Sequence, residues 1–136
     1  MQAQRFEFKG DRGLTLVAEA WGDPENKPVI LAHGGGQTRH AWGGTARALA
    51  ERGWYAVAYD HRGHGESQWA PDNRYKVSCY ANDLATLAQM QNQPPAVVGA
   101  SLGGMSAMVV AGENSERIFS SITLVDVTPR LNRQGV

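Results

Sequence analysis

Cys79 is the only cysteine in the 136 residues. No internal disulfide and no cysteine metal cluster can form, and a reducing compartment fits. Charge of one sign is also missing. Thirteen Lys and Arg stand against thirteen Asp and Glu, which argues against the basic surface that nucleic-acid binding requires. Nowhere do about 18 apolar residues run together, and the opening Met1 to Gly10 carries no apolar signal core, so neither a membrane span nor a secretory signal is predicted. Cytoplasm is the expected compartment. The expected partner is a small-molecule substrate, with no nucleic acid and no membrane. What the chain does have is 42% hydrophobic residues against 19% charged ones, enough to exclude disorder and to predict one core. The length is too short for two ordinary domains, and there is no repeat, low-complexity tract or linker.

Along the chain, Phe6 and Phe8 alternate with charged residues, Gly10-Asp11-Arg12-Gly13 interrupts, and Leu14, Leu16 and Ala18 alternate again. This pattern predicts a hairpin that Trp21 closes. Gly22 to Pro28 is a polar turn. Val29 to Ala32 is then a buried strand that runs into His33-Gly34-Gly35-Gly36, and Ala46, Leu49 and Ala50 suggest a helix stopped by Gly53. Tyr55 to Tyr59 is the next apolar strand and leads into the charged, glycine-punctuated turn Asp60 to Ser67. Ser78 to Met90 reads as a helix with Leu84, Leu87 and Ala88 on one face, Ser78 as its N-cap and Pro94-Pro95 beyond its end. Ser121 to Val125 is one more strand before Asp126-Val127-Thr128-Pro129. Strands alternating with helices predict an α/β fold: a mostly parallel sheet fed by an antiparallel N-terminal hairpin, with helices on both faces and functional loops at the carboxyl ends of the strands.

The stretch that carries the chemistry is Ala96 to Gly104. A short apolar run, suited to a strand buried on both faces, ends in Gly99-Ala100-Ser101-Leu102-Gly103 and passes into helix-compatible sequence. Ser101 therefore sits at a strand-to-helix corner, which strains its backbone and lifts its hydroxyl clear of the sheet. Gly99 and Gly103 are the small neighbours such crowding needs. The helix start leaves the Leu102 N–H free to stabilise an oxyanion, and the three consecutive glycines Gly34 to Gly36 suit backbone donation as well.

With these three loops placed, the sequence resembles the N-terminal part of an α/β-hydrolase over nearly its whole length, residues 1–136 being part of a single domain of that kind. His33-Gly34-Gly35-Gly36 resembles the family's oxyanion loop, Asp60 to Ser67 its Asp-x-Arg-Gly-x-Gly-x-Ser turn, and Gly99 to Gly103 its nucleophile elbow. The resemblance implies that Ser101 is the nucleophile and that Leu102 N–H and an N–H of the Gly35 region form the oxyanion hole, Gly35 ahead of Gly36. It implies no metal and no organic cofactor. The family order is Ser, then Asp or Glu, then a late His, yet all four histidines, His33, His40, His61 and His64, precede Ser101. The fold is therefore expected to be incomplete, lacking the family's C-terminal strands, and the chain to be a fragment, inactive alone, of a serine hydrolase acting on an ester or related acyl compound. Its last strand would leave an open edge through which copies of the chain can associate. The alternative is a non-catalytic binding or assembly module that keeps a hydrolase-like pocket.

Each remaining candidate has a plainer role beside the chemical one. His33 is expected to pin the glycine loop rather than act as base. Asp60, Arg62 and His64, set in a glycine turn, are expected to fix that loop. His61 and His64, three apart, do not by themselves define a metal site. Asp83 is expected on the solvated or capping side of its helix, and Met105 with Met108 in core packing. Asp126 is either a loop-fixing carboxylate or, as in some members of the resembled family, the acid that orients an absent histidine. Trp42 is either the core anchor of its helix or a wall of an acyl pocket.

Overall fold

The computed structural model describes residues 2–126; Met1 and the run Val127-Thr128-Pro129 that follows Asp126 lie outside them. Six strands form one sheet: β1 (Gln4–Lys9), β2 (Thr15–Trp21), β3 (Lys27–Ala32), β4 (Trp54–Tyr59), β5 (Ala96–Ala100) and β6 (Ser121–Val125), in the order β1-β2-β4-β3-β5-β6. The β1-β2 and β2-β4 pairs are antiparallel, and β3-β4, β3-β5 and β5-β6 are parallel. Three helices connect the parallel strands: α1 (Gly43–Glu51), α2 (Val77–Gln89) and α3 (Leu102–Glu113).

Burial on both faces explains why the central strands read as unbroken apolar runs. Side chains two apart share a face, and β3 shows the division. Ile30 and Ala32 join Leu16, Val57, Leu84, Leu87, Val97 and Val110 in the core under α2 and α3, whereas Val29 and Leu31 join Trp21, Ala46, Ala50, Ala56 and Ala58 under α1. Leu31, Leu84 and Leu87 are fully buried, and truncating any one to alanine costs about 2–5 kcal/mol on the usual scale for core leucines.

The connections set the site. From β3 the chain crosses through α1 to β4 on one side, then returns through α2 to β5 on the other side of β3. The order thus reverses at β3, and a crevice opens beyond the carboxyl ends of β3 and β5, the usual ligand position in such sheets. α1 ends as its sequence predicts, at Gly53 with φ +93°, a left-handed conformation that favours glycine.

Four local expectations are corrected. β3 begins at Lys27, so the polar turn is shorter than expected, and Pro28 is accommodated near the strand's start, before β5 pairs at Val29. α2 begins at Val77 with Lys76 as its N-cap and no side-chain cap; Ser78 is exposed within the first turn. Asp83 is not solvated but 1% exposed, because it neutralises Arg62. In α3 the buried face is Gly103, Gly104, Ser106, Ala107 and Val110, while Met105 and Met108 are half-buried; Gly103 and Gly104 stand where the helix start lies directly on β3 and β5. β6 is an edge strand among the described residues, with Ile122 and Val125 exposed. No helix among the described residues is long and apolar enough to cross a membrane.

Candidate active site

Ser101 stands at the β5-α3 corner with φ +49° and ψ −111°, a region that side-chain-bearing residues adopt only when their surroundings force it. Three contacts hold it there. Its N–H donates to Val125 O at 3.2 Å, its carbonyl accepts the Met105 N–H at 2.9 Å, and the backbone on both sides is crowded. A methyl built on Gly99 would lie 2.6 Å from Gly104 N, and one built on Gly103 would lie 2.6 Å from Ala32 Cβ. Both glycines are therefore required by close approach. The serine side chain is exposed and makes no hydrogen bond among the described residues.

The glycine loop lies alongside. A methyl built on Gly34 would come within 3.5 Å of Ser101 Cβ, so the loops after β3 and β5 meet across the crevice. Gly34 N–H donates to Gln37 Oε1 at 3.0 Å, Gln37 N–H to Gly34 O at 3.1 Å, and Gly36 N–H to His64 Nε2 at 3.0 Å. Gly35 is exposed, and its N–H has no partner among the described residues; the same is true of Leu102 N–H at the start of α3. Among the loop's donors, Gly36 is engaged and Gly35 is open.

Three of the four histidines pack as a cluster beneath this loop. Ring centroids are 4.3 Å apart for His33 and His61, and 5.2 Å apart for His33 and His64. Hydrogen bonds assign their protons. His33 Nε2 accepts the His61 N–H at 3.0 Å, and its Nδ1 donates to Gly34 O at 2.7 Å. His61 Nε2 donates to His33 O at 2.8 Å, and its Nδ1 is buried without a partner. His33 thus pins the glycine loop, as expected of it. Burial lowers the pKa of His61 to about 3, with the neighbouring His33 and His64 adding to the effect. Burial also lowers that of His33, against the Gly34 hydrogen bond. Neither ring is free to take a proton from Ser101.

The turn after β4 is fixed by two ion-paired centres. Asp60, fully buried, accepts Arg39 N–H at 2.7 Å, Arg39 Nη1 at 2.5 Å and Glu66 N–H at 3.0 Å. Arg39 also reaches Glu19 and Glu66, each at 2.6 Å. Burial opposes its charge, but the hydrogen bonds to Glu66, Glu19 and Asp60 prevail and raise its pKa above the usual range. Arg62 makes a two-pronged pair with Asp83 at 2.8 and 2.9 Å, and Asp83 also accepts the Asp11 N–H at 2.7 Å. The Asp83 hydrogen bonds raise the pKa of Arg62 against its burial. Ser67 Oγ donates to Asp60 O at 2.7 Å and accepts Val17 N–H at 2.9 Å. Asp60, Arg62 and His64 are thus loop-fixing groups. Arg39 was not legible in the sequence, since nothing in the irregular run Gln37 to His40 marks an arginine for burial.

Asp126 follows β6 with φ +53° and is exposed. It adjoins Val125, whose carbonyl receives the Ser101 N–H, so Ser101 and Asp126 stand side by side at the ends of neighbouring strands. Trp42 is half-buried and packs on the core under α1 with Leu49, Trp54 and Val98. A cavity of about 190 Å³ lined by Asp11, Arg12, Leu14, Arg62, Pro71 and Arg74 lies elsewhere and does not include Ser101. Among the described residues, no group of three or more His, Cys, Asp or Glu is arranged to hold a metal ion.

The sequence pattern described as alpha/beta hydrolase fold matches residues 27–135. An esterase of Mycobacterium tuberculosis is 37% identical over 115 residues, 84% of this chain and 37% of the relative. A non-heme chloroperoxidase of Streptomyces lividans is 29% identical over 119 residues, 86% of this chain and 43% of the relative. Among solved structures, the thioesterase domain from the curacin biosynthetic pathway superposes with TM-score 0.86 at 25% identity, covering 99% of this chain and 50% of that one. An alpha/beta hydrolase from Novosphingobium aromaticivorans does so with TM-score 0.84 at 29% identity, covering 98% and 47%. The chain thus spans less than half the length of these two curated relatives.

Proposed function

This chain belongs to the alpha/beta hydrolase fold family, and from that premise we propose that the whole protein is a serine hydrolase that cleaves an ester or related acyl compound through an acyl-enzyme on Ser101. The observation that carries the reading is the corner itself. An exposed serine is held at φ +49° next to Leu102 and across the crevice from the glycine loop, and the N–H groups of Gly35 and Leu102 have no partner among the described residues. Holding a hydroxyl and two donors in place before substrate arrives is what acyl transfer needs, because the charge that develops on the carbonyl oxygen meets dipoles already set. One relative is named an esterase and one neighbour a thioesterase domain, which supports an acyl substrate.

In this reading Ser101 Oγ attacks the carbonyl carbon, its proton passes to a base, and the carbonyl π electrons move onto the oxygen held by Gly35 and Leu102 N–H. Collapse returns the proton to the leaving alkoxide and leaves the acyl group on Ser101; water, deprotonated by the same base, releases the acid. The base is the part the described residues do not offer. His33 and His64 have both ring nitrogens engaged, His61 is buried, and His40 is exposed, its ring 4.0 Å from the Glu19 carboxylate. In this reading the base comes from a part of the whole protein outside these 136 residues, and Asp126, beside Ser101, is the carboxylate that orients it. No metal or organic cofactor enters.

The second reading, a non-catalytic binding or assembly module, is favoured by one observation: no imidazole among the described residues hydrogen-bonds Ser101. Hydrolysis of p-nitrophenyl acetate and butyrate by the whole protein, beside its Ser101→Ala variant, separates the two. Serine-dependent turnover and fluorophosphonate labelling at Ser101 are expected. Equal rates in both proteins overturn the hydrolase reading. The 136-residue chain alone should be slower by several orders of magnitude, as when a triad base is removed.

A further inference from the structure

We propose that His64 is a positioning residue for the oxyanion loop: its imidazole takes up the Gly36 N–H, leaving Gly35 as the open donor of that loop beside Ser101. The inference rests on the assignment of Gly35 and Leu102 as the oxyanion donors. Its grounds are geometric. His64 Nε2 lies 3.0 Å from Gly36 N and must accept, because a backbone N–H only donates. Nδ1 lies 3.0 Å from Arg62 O and must therefore carry the ring's proton. The ring is neutral, with one tautomer fixed from both ends.

What makes this a positioning device is the rigidity of its anchor. Arg62 is clamped by both Asp83 oxygens and donates to Arg74 O at 2.9 Å, and Asp83 belongs to α2 while gripping the β1-β2 turn through Asp11 N–H. A continuous path therefore runs from α2 through Asp83, Arg62 and His64 to Gly36. The turn is shaped for it. Gly63 and Gly65 have φ +73° and +51°, and a methyl on Gly65 would collide with the Asp60 carboxyl group. Gly36 itself has φ +81°, a conformation with little intrinsic preference in a glycine, so an external bond is needed to select it. Three glycines in a row would otherwise present their N–H groups in many directions. With Gly34 N–H on Gln37 and Gly36 N–H on His64, only the middle one is left to face substrate.

The test is NMR on the ¹⁵N-labelled whole protein, joined to its reactivity. A scalar coupling across the hydrogen bond between Gly36 N and His64 Nε2 is expected, and the His61 N–H to His33 Nε2 bond, also 3.0 Å long, is the internal control. His64→Ala should speed exchange of the Gly36 amide about tenfold, the scale of one lost hydrogen bond, and His64→Gln, whose side-chain oxygen reaches the same place, should restore most of it. In the whole protein, His64→Ala should lower the maximal rate of fluorophosphonate labelling at Ser101 about tenfold while half-saturation stays within about twofold, less than the hundredfold typical of deleting a donor outright. Absence of the Gly36 coupling while the control coupling is present overturns the proposal. So does wild-type labelling by His64→Ala in a protein whose Ser101→Ala variant is unreactive. If the wild-type protein does not label at all, the hydrolase reading fails by itself, and coupling and exchange still decide whether His64 holds the loop.

Discussion

Acidification should unfold this domain through His61, and the size of the effect follows from where the ring sits. His61 is fully buried, and burial lowers its pKa from 6.5 to about 3. Below pH 6.5 the unfolded chain takes up a proton at this ring that the folded chain refuses. The unfolded state then binds more protons, and stability falls with pH. The loss starts as pH drops through 6.5 and continues until about 3, where the folded ring also titrates. At pH 4.5, two units below the unfolded value, one such group costs about 2.7 kcal/mol, at about 1.36 kcal/mol per unit. His33, lowered in the same direction, adds to it. Against the roughly 5–15 kcal/mol of a typical domain this is a large share. The assay is urea unfolding followed by tryptophan fluorescence at steps from pH 7 to pH 4.5, beside His61→Gln, whose amide can still donate to His33 O. The wild type should lose stability more steeply, by about one proton's slope, about 1.36 kcal/mol per pH unit. Equal slopes for the two proteins, or a wild type indifferent to pH over this range, would refute the burial argument.

Arg39→Ala should destabilise the fold by about 3–5 kcal/mol, because it strands the fully buried Asp60 carboxylate, a cost typical of a broken buried pair; chemical denaturation checks it, and a loss under 1 kcal/mol would show that the loop relaxes to admit water. Gly103→Ala should cost about 1–3 kcal/mol or prevent folding, since the added methyl meets Ala32 of β3, and thermal melts of the purified variant report it. Ser67→Ala removes both the acceptor for Val17 N–H and the donor to Asp60 O, so about 1–3 kcal/mol should be lost in a urea titration for each buried group left unpaired.

Residue pattern determined much of the fold. Period-two alternation marked the hairpin, β-branched and small apolar runs marked the strands, and Gly53 ended α1 because only glycine takes φ +93° without strain. The corner at Ser101 was legible for the same reason: Gly99 and Gly103 flank it where backbones touch. These signals are local, so they survive in a linear string. The misplaced residues failed on distance. Asp83 looked solvated because its partner Arg62 is 21 positions away and its second partner, Asp11, 72 away. Met105 and Met108 looked like core because hydropathy does not say which helix face presses on a sheet, and the face that does so here carries Gly103, Gly104, Ser106, Ala107 and Val110.

The sequence by itself determined the strand-helix alternation, the corner serine and the glycine loop, because each is dictated by the conformational limits of adjacent residues. Only the tertiary structure decided which loop N–H stays open, which histidine ring is neutral and how, and that an arginine opening a single 3-10 turn, Arg39, holds a buried aspartate. Those outcomes depend on hydrogen bonds between segments brought together where the sheet order reverses at β3, and such bonds leave no periodic trace in the chain.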